Sequence, residues 1–254
     1  MHIFLFSKEI PLELDNRDFF TKICTSTEKS GLNFIDSIYI INLDERPEKW
    51  SHVNQLLNEK KLNCTRVSGV NGWKLPNKIY KKLRGRPYKE EMNAGKVGCA
   101  LSHFSIWEHA LNLSEEIVWI MEDDIEFFGS PILLEEYIES LNQIDPEWDI
   151  LYTDRSTRLR DGSYRIESTR IDKSFEDENS IFTKVLFRHG TYSMLISNRG
   201  LKKLYECLVS QKIWAPIDDT IHLIPGLRQY CLKFPLITHC TLNRISDTDS
   251  CNFE

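Results

Sequence analysis

Short apolar segments alternate with helix-like segments in the first half of the chain, and this alternation restricts the possible folds most. Residues 37–43 are rich in β-branched and aromatic side chains, which is typical of a buried strand. Apolar residues recur at helical spacing over 45–60, where Asp44 can cap the helix and Pro47 lies in its first turn. A second strand is predicted at 63–67. The sequence therefore predicts the βαβ opening of an α/β sheet.

The same alternation continues toward the C-terminus. Further strands are predicted at 117–121, 148–152 and 194–196, and further helices at 97–111, 133–141 and 199–209. Residues 1–36 have no clear period, so we interpret them as an N-terminal attachment to one α/β domain at 37–254. Within that domain, 154–180 is expected to be a loop, and 213–254 is expected to be irregular with short strands.

Charge and composition exclude several classes of protein. The 254 residues carry a formal net charge of -6, whereas contacts with nucleic-acid phosphates require a basic excess. The longest uninterrupted apolar run, 117–121, is far shorter than the roughly 20 residues that span a bilayer. The 7 cysteines include no C-x-x-C pair, which indicates reduced thiols. The N-terminus lacks a secretory leader, so we expect a cytosol-like location, or the secretory pathway if targeting parts were removed.

A cluster of carboxylates directly after an apolar strand is the sharpest local feature. Residues 115–126 hold six carboxylates and no basic residue, and Glu122, Asp123 and Asp124 are consecutive. Adjacent carboxylates repel one another, and a divalent cation commonly compensates for this repulsion. A solvated acidic turn is an equally good interpretation of the tripeptide alone. Its position at the carboxyl end of a strand favours a ligand site, because open α/β sheets bind ligands there.

Other motifs near this strand carry less information. Gly95-Lys-Val-Gly98 is a G-x-x-G, which fits a glycine-permitted turn into the next helix. Cys99 and His103 have the i,i+4 spacing of a ligand pair, but two residues do not make a zinc site, so a core cysteine beside a polar histidine is favoured. No G-x-x-x-x-G-K-[ST], G-x-G-x-x-G or G-x-S-x-G motif occurs.

Several ordered segments between about residues 37 and 250 form a recognisable series. In the first half these are Ile38-Tyr-Ile-Ile-Asn-Leu-Asp44 with Arg46, Val70-Asn-Gly72, Gly95-Lys-Val-Gly-Cys-Ala-Leu-Ser-His103 and Met121-Glu-Asp-Asp-Ile125. In the second half they are Trp148-Asp-Ile-Leu-Tyr152, Gly190-Thr-Tyr-Ser-Met-Leu-Ile-Ser-Asn-Arg-Gly200, Pro216-Ile-Asp-Asp219 and Thr238-His-Cys-Thr241. The series resembles glycosyltransferase family 25, which includes lipooligosaccharide and procollagen galactosyltransferases. Gly85-Arg-Pro87 and the ending at 245–250 are most similar to the procollagen galactosyltransferase branch.

The resemblance implies a GT-A-like (Rossmann-like) α/β fold with a mixed central sheet, and it assigns roles to residues. The residues it implies for donor binding are Asn42, Asp44, Arg46, Gly72, Ser102, His103, Glu122 and Asp123. The metal ligands it implies are Asp124, His239 and Glu122, which would hold Mn²⁺ or another divalent cation. The catalytic residues it implies are Asp218 and Asp219, of which Asp218 is chosen as the base on an extended segment after Pro216.

The activity implied by the resemblance is an inverting, metal-dependent transfer of galactose from UDP-galactose to hydroxylysine of a collagen-like protein. Transfer to a lipooligosaccharide or another glycan, and a UDP-glucose donor, are alternatives within the same enzyme class. A nucleotidyl or phosphoryl transferase would use similar carboxylates. An inactive sugar-nucleotide-binding module is the remaining alternative. The expected partners are a UDP-sugar and a peptide or glycan acceptor, and an oligomer is possible.

Overall fold

The computed structural model describes residues 20–21, 23–24, 29–84, 92–154, 170–172, 180–210, 213, 215–239 and 247–248. The strands of this part are β1 Ser37–Asn42, β2 Thr65–Ser68, β3 Ile117–Glu122, β4 Ile125–Phe127, β5 Ile150–Tyr152, β6 Arg170–Ile171, β7 Phe182–Phe187, β8 Ser193–Ser197, β9 Gln229–Leu232 and β10 Ile237–His239. The helices are α1 Pro47–Glu59, α2 Asn77–Leu83, α3 Ala94–Asn112, α4 Leu133–Ile144, α5 Asn198–Ser210 and α6 Ile217–His222, with a 3₁₀ turn at Gly72–Lys74.

Eight strands form one mixed sheet in the order β2-β1-β3-β8-β5-β9-β7-β6. Strands β2, β1 and β3 are parallel, and β5 is parallel to β9. Strand β8 runs antiparallel between β3 and β5, so the carboxyl ends of β1, β3 and β5 meet the start of β8 at one edge. This topology confirms the GT-A-like α/β fold with a mixed central sheet. Residues that follow β1, β3 and β5 therefore lie together at this edge, called the carboxyl edge below, where open α/β sheets bind ligands.

Apolar side chains on both faces of the sheet explain why helices cover it on two sides. Alternate strand residues point to opposite faces, so Tyr39 of β1 packs with α3 and α5, whereas Ile38 and Ile40 pack with α1 and α4. Each large aliphatic side chain buried in this way contributes about 1.5–3 kcal/mol to stability. The sheet is therefore a rigid support for the side chains at its edge.

Some local predictions need correction. Asp44 does not cap α1, whose N-cap is Arg46 without a side-chain cap hydrogen bond. Asp218 and Asp219 lie in the first turn of α6 and not on an extended segment. Proline fixes its own φ but is accepted at the start of a helix, so Pro216 is the N-cap residue of α6 where an extended chain was predicted.

The segment before β1 packs partly onto the domain. Ser30, Leu32 and Ile35 are buried, and the two apolar residues join the core beside α1. The boundary at residue 36 stays a prediction, because most of 1–28 lies outside the described residues. Among the described helices, none has the length and apolar character needed to cross a bilayer.

Candidate functional site

A pocket lies at the carboxyl edge of the sheet, where β3 ends. Its wall includes Glu122, Asp123 and Asp124, the three carboxylates singled out in the sequence. The remaining lining residues are Ile41, Leu43, Lys49, Val70, Asn71, Gly72, Trp73, Gly95, Cys99, Ser102, His103, Asp247 and Thr248. The structure thus brings Gly72, Ser102 and His103 together with the acidic cluster.

Close backbone contacts explain the glycines on one side of the pocket. A Cβ on Gly72 would lie 1.7 Å from the carbonyl oxygen of Ala94, and a Cβ on Gly98 would lie 2.3 Å from that of Val70. The hydroxyl of Ser102 completes this contact, since it accepts from the Val70 amide at 2.8 Å and donates to the Gly98 carbonyl at 2.9 Å. The G-x-x-G motif therefore packs α3 against the loop after β2.

Asn42 organises the residues behind the acidic cluster. This buried side chain donates from Nδ2 to Oδ2 of Asp123 at 2.6 Å, and its Oδ1 accepts from Nη2 of Arg66 at 2.6 Å. Burial raises the pKa of Asp123 to about 7, with Asp124 adding to the effect and Lys49 opposing it. Asn42 therefore holds a carboxylate in place and is itself screened from solvent.

Asp44 lies farther out than its neighbour Asn42. Its carboxylate accepts from the Ser68 hydroxyl at 2.7 Å and from Nη2 of Arg66 at 2.7 Å. The hydrogen bond from Ser68 lowers the pKa of Asp44, and Arg66 adds to this effect. The side chain is 64% exposed and is not among the residues that line the pocket.

Asp247 contacts the start of α1 and the 3₁₀ turn beside the pocket, and the sequence did not predict this role. Its Oδ1 accepts from Nε and Nη2 of Arg46 at 2.8 and 2.6 Å, and its Oδ2 accepts from Nζ of Lys49 at 2.7 Å. Its carbonyl accepts from the indole of Trp73 at 3.1 Å. Burial lowers the pKa of Lys49, but Asp123, Asp247 and Asp124 outweigh this, and the net shift is upward. The sequence feature that could have indicated this role is the resemblance of residues 245–250, which include Asp247, to the ending of the family.

His103 and Glu122 form the floor of the pocket with Cys99. His103 is fully buried, and its Nε2 lies 3.6 Å from Oε1 of Glu122. The same Glu122 oxygen accepts from the Thr191 hydroxyl at 2.6 Å. Burial raises the pKa of the Cys99 thiol well above its ordinary value, and the charges of Glu122, Asp218 and Asp124 add to this. The electrostatic environment at this point is strongly negative.

Asp218 approaches the same edge from α6. Its Oδ2 accepts from the Gly190 amide at 2.8 Å, and its Oδ1 accepts from the Asp219 amide at 3.0 Å. Nδ1 of His189 lies 3.7 Å from carboxylate oxygens of both Asp218 and Asp219. Gly190 has a φ of +86°, and a Cβ there would meet the ring of Tyr192, so only glycine fits. The orientation of Asp218 is thus set by backbone amides.

A buried ion pair is formed by Arg188, which directly precedes His189 and Gly190 in the chain. Arg188 and Asp154 pair with side chains that are 1% and 2% exposed, and the guanidinium lies 4.2 Å from the ring centroid of Tyr152. Burial raises the pKa of Asp154, and Arg188 opposes the shift. Nε2 of His222 contacts the backbone nitrogen and oxygen of Arg188 at 3.0 and 2.7 Å. Arg188 is therefore anchored on both its side chain and its backbone.

His222 is expected to make the fold sensitive to acid. Burial lowers its pKa from 6.5 to about 4, so between these values the unfolded chain binds a proton that the folded chain does not. Stability contributed by neutral His222 is present above pH 6.5 and is lost as the pH falls toward 4, by about 3 kcal/mol. Urea unfolding at several pH values should show a smaller acid loss in His222→Gln than in the wild type. Equal losses in both proteins would contradict this expectation.

The remaining metal residues predicted from the sequence are only partly described. Asp124 lines the pocket and is partly exposed. His239 ends β10, and its backbone pairs with Ile125, which follows Asp124 directly. The side chain of His239 lies outside the described residues. The predicted metal roles of both residues, and the donor and catalytic roles of the others, stay predictions.

The donor groups at this edge fit a divalent cation. Glu122 and Asp124 supply oxygen ligands of the kind that Mn²⁺ and Mg²⁺ prefer, on a stretch that contains no basic residue. Within the part of the chain that the structure describes, neither ring nitrogen of the buried His103 has a hydrogen-bond partner. A buried imidazole of this kind is expected to have a partner, so a bound group in the pocket would complete the site.

Comparisons with known proteins agree with this architecture. A family model for glycosyltransferase family 25 (LPS biosynthesis protein) matches residues 35–221. A "Glycosyltransferase 25 family member" from Aedes aegypti is 27% identical over 85% of this chain and 34% of its own length. "Procollagen galactosyltransferase 1" from Danio rerio is 24% identical over 82% and 34%. The human "Inactive glycosyltransferase 25 family member 3" is 30% identical over 51% and 23%.

The chain spans about a third of the length of the first two relatives. The family model, however, covers most of the present chain, including the carboxyl edge from β1 to α6. The protein therefore belongs to glycosyltransferase family 25.

Proposed function

We propose that this protein is a metal-dependent glycosyltransferase that moves galactose from UDP-galactose to hydroxylysine of a collagen-like protein by an inverting reaction. The observation that carries the proposal is the pocket in which Glu122, Asp123 and Asp124 meet Lys49 and His103. Membership of the family supports sugar transfer, and the procollagen galactosyltransferase among the relatives supports the choice of donor and acceptor.

The residues of the first βαβ unit would bind the uridine diphosphate. Lys49 and Arg46 bring positive charge to a site dominated by carboxylates, and Asp247 holds both cations in position. Asp44 would offer its exposed carboxylate to the part of the nucleoside that extends beyond the pocket wall. Gly72 and Ser102 keep the loop after β2 tightly against α3, which shapes the wall that the donor would contact.

Asp124, Glu122 and His239 are the residues proposed to hold a manganese-class cation. When bound, such a cation neutralises the developing charge of the diphosphate leaving group. Thr191 donates to Glu122 and thereby fixes the direction of this carboxylate. Asp123 is held from behind by Asn42, so the acidic segment is rigid before the donor arrives.

Asp218 is proposed to accept the proton of the acceptor hydroxyl as the new C–O bond forms. Carboxylate oxygens have two lone pairs each, so the amides of Gly190 and Asp219 orient Asp218 without consuming its capacity to accept a proton. Inversion follows if the hydroxyl attacks the anomeric carbon opposite the leaving diphosphate.

UDP should stabilise the protein in the presence of Mn²⁺ if the pocket binds the donor. At 100 times the dissociation constant, binding adds about 2.7 kcal/mol, which corresponds to a rise in Tm of about 5–10 °C. Arg46→Ala and Asp44→Ala should reduce the shift measured by thermal unfolding.

Arg228→Ala is the matched control. Arg228 directly precedes β9, at the end of the sheet opposite to the carboxyl edge, and forms an ion pair with Asp145 there. This variant should keep the full UDP shift. Equal stabilisation by GDP, or equal losses in all three variants, would contradict a uridine site beside Asp44 and Arg46.

A further inference from the structure

Three side chains of different chemistry converge at the floor of the pocket. Sγ of Cys99, one ring nitrogen of His103 and one carboxylate oxygen of Glu122 all lie within 4.8 Å of one another. Cys99 and His103 are one turn apart on α3, so they share a face of the helix, and Glu122 is the last residue of β3. Sulfur, nitrogen and oxygen ligands at this spacing can surround one ion at about 2.0–2.3 Å.

His103 gives a second, independent indication of a ligand. Its side chain has no exposed surface, and within the described residues neither nitrogen has a hydrogen-bond partner. The 3.6 Å from its Nε2 to Oε1 of Glu122 is too long for a hydrogen bond. An unsatisfied buried polar group costs about 1–3 kcal/mol, and coordination would remove that cost.

We propose that Cys99, His103 and Glu122 form a binding site for a zinc-class divalent cation. Binding of the ion would release the thiol proton of Cys99 to solvent, and the resulting thiolate together with the Glu122 carboxylate would balance the charge of the ion. The mixed donor set favours zinc over manganese or magnesium, which prefer oxygen. All three residues line the same pocket, so we expect a water or another small donor in the pocket to take the fourth coordination position.

This site shares Glu122 with the manganese site proposed above, but it does not depend on transferase activity. Its test measures cation binding, so its failure is distinguishable from failure of the proposed function. Zinc bound to Glu122 would compete with the catalytic cation, and that consequence alone rests on the proposed function.

Untagged wild-type protein should be loaded with one equivalent of zinc and measured by X-ray absorption at the zinc edge. We expect a coordination shell with one sulfur at about 2.3 Å and the rest nitrogen or oxygen. Titration with Co²⁺ should produce a thiolate-to-cobalt charge-transfer band that saturates at one equivalent. A shell of nitrogen and oxygen alone, or no charge-transfer band, overturns the proposal without any variant.

Cys99→Ser should abolish the charge-transfer band and weaken zinc binding at least about tenfold. Cys64→Ser is the matched control, because Cys64 is another partly buried free thiol that precedes β2 and does not line the pocket. This control should keep the band and the affinity. A band that persists in folded Cys99→Ser, or that is lost in Cys64→Ser, assigns the cation to another thiol and overturns the proposal.

Discussion

Asp218→Asn is expected to lower kcat for sugar transfer by about 10²–10⁴-fold, the usual effect of losing a general base. The amide has the same shape as the carboxylate, and its oxygen can still accept from the Gly190 amide as Asp218 does at 2.8 Å. The substitution therefore removes the proton acceptor and keeps the hydrogen bond from Gly190, while the bond from the Asp219 amide to the other oxygen is lost. UDP affinity, measured by thermal shift, should not change.

Asp219→Asn is the matched control for this prediction. Asp219 is adjacent to Asp218 on α6 and lies at the same distance from His189, 3.7 Å. General electrostatic effects should therefore be similar in the two variants, whereas the loss of a base should be specific to Asp218. Wild-type transfer by Asp218→Asn would mean that the base lies elsewhere.

Arg188→Met is expected to reduce the free energy of unfolding by about 3–5 kcal/mol at pH 7. The substitution leaves Asp154 buried without its cationic partner, because both side chains are at most 2% exposed. It also removes the contact of the guanidinium with the Tyr152 ring at 4.2 Å. Urea denaturation would measure the loss directly, and the dependence of the unfolding free energy on urea concentration should be compared between the two proteins.

The double variant Arg188→Met with Asp154→Asn separates the buried charge from lost packing. Removing both charges should recover much of the stability, since a polar neutral group is less costly to bury than a carboxylate. A loss below about 1 kcal/mol in the single variant would contradict a buried charge pair beneath the site.

The strands at the centre of the sheet were predictable because they are short runs of apolar residues and the sheet buries them on both faces. Strand β3 was predicted at 117–121 and ends at Glu122, since the apolar run stops where the buried sheet stops. Helix α6 was not predicted, because a six-residue helix with two adjacent aspartates shows no helical period. Short strands such as β4 were missed for a similar reason, because three residues do not establish a period.

The candidate site was predictable where a residue follows a strand and unpredictable where contacts are distant in sequence. Glu122 and Asp123 follow from the position of β3, and His103 was found through its family-like segment. Asp247 contacts Arg46 across 201 positions, which no local pattern encodes. Cys99 was assigned to the core because two residues at ligand spacing do not make a metal site, and the proximity of a third group, Glu122, depends on how α3 packs against β3.

The carboxylates after β3 are proposed to support metal-dependent transfer of a hexose from a UDP-sugar. The most direct measurement is mass spectrometry of a hydroxylysine-containing collagen peptide incubated with UDP-galactose and Mn²⁺. We expect the peptide to gain one hexose with release of UDP, no transfer in excess EDTA, and recovery when Mn²⁺ is restored. Asp124→Ala should lower transfer by orders of magnitude, whereas Glu136→Gln, at an exposed position of α4, should not. Full transfer in EDTA, release of pyrophosphate, or no product from any UDP-hexose with a peptide or glycan acceptor would rule out a metal-dependent hexosyltransferase.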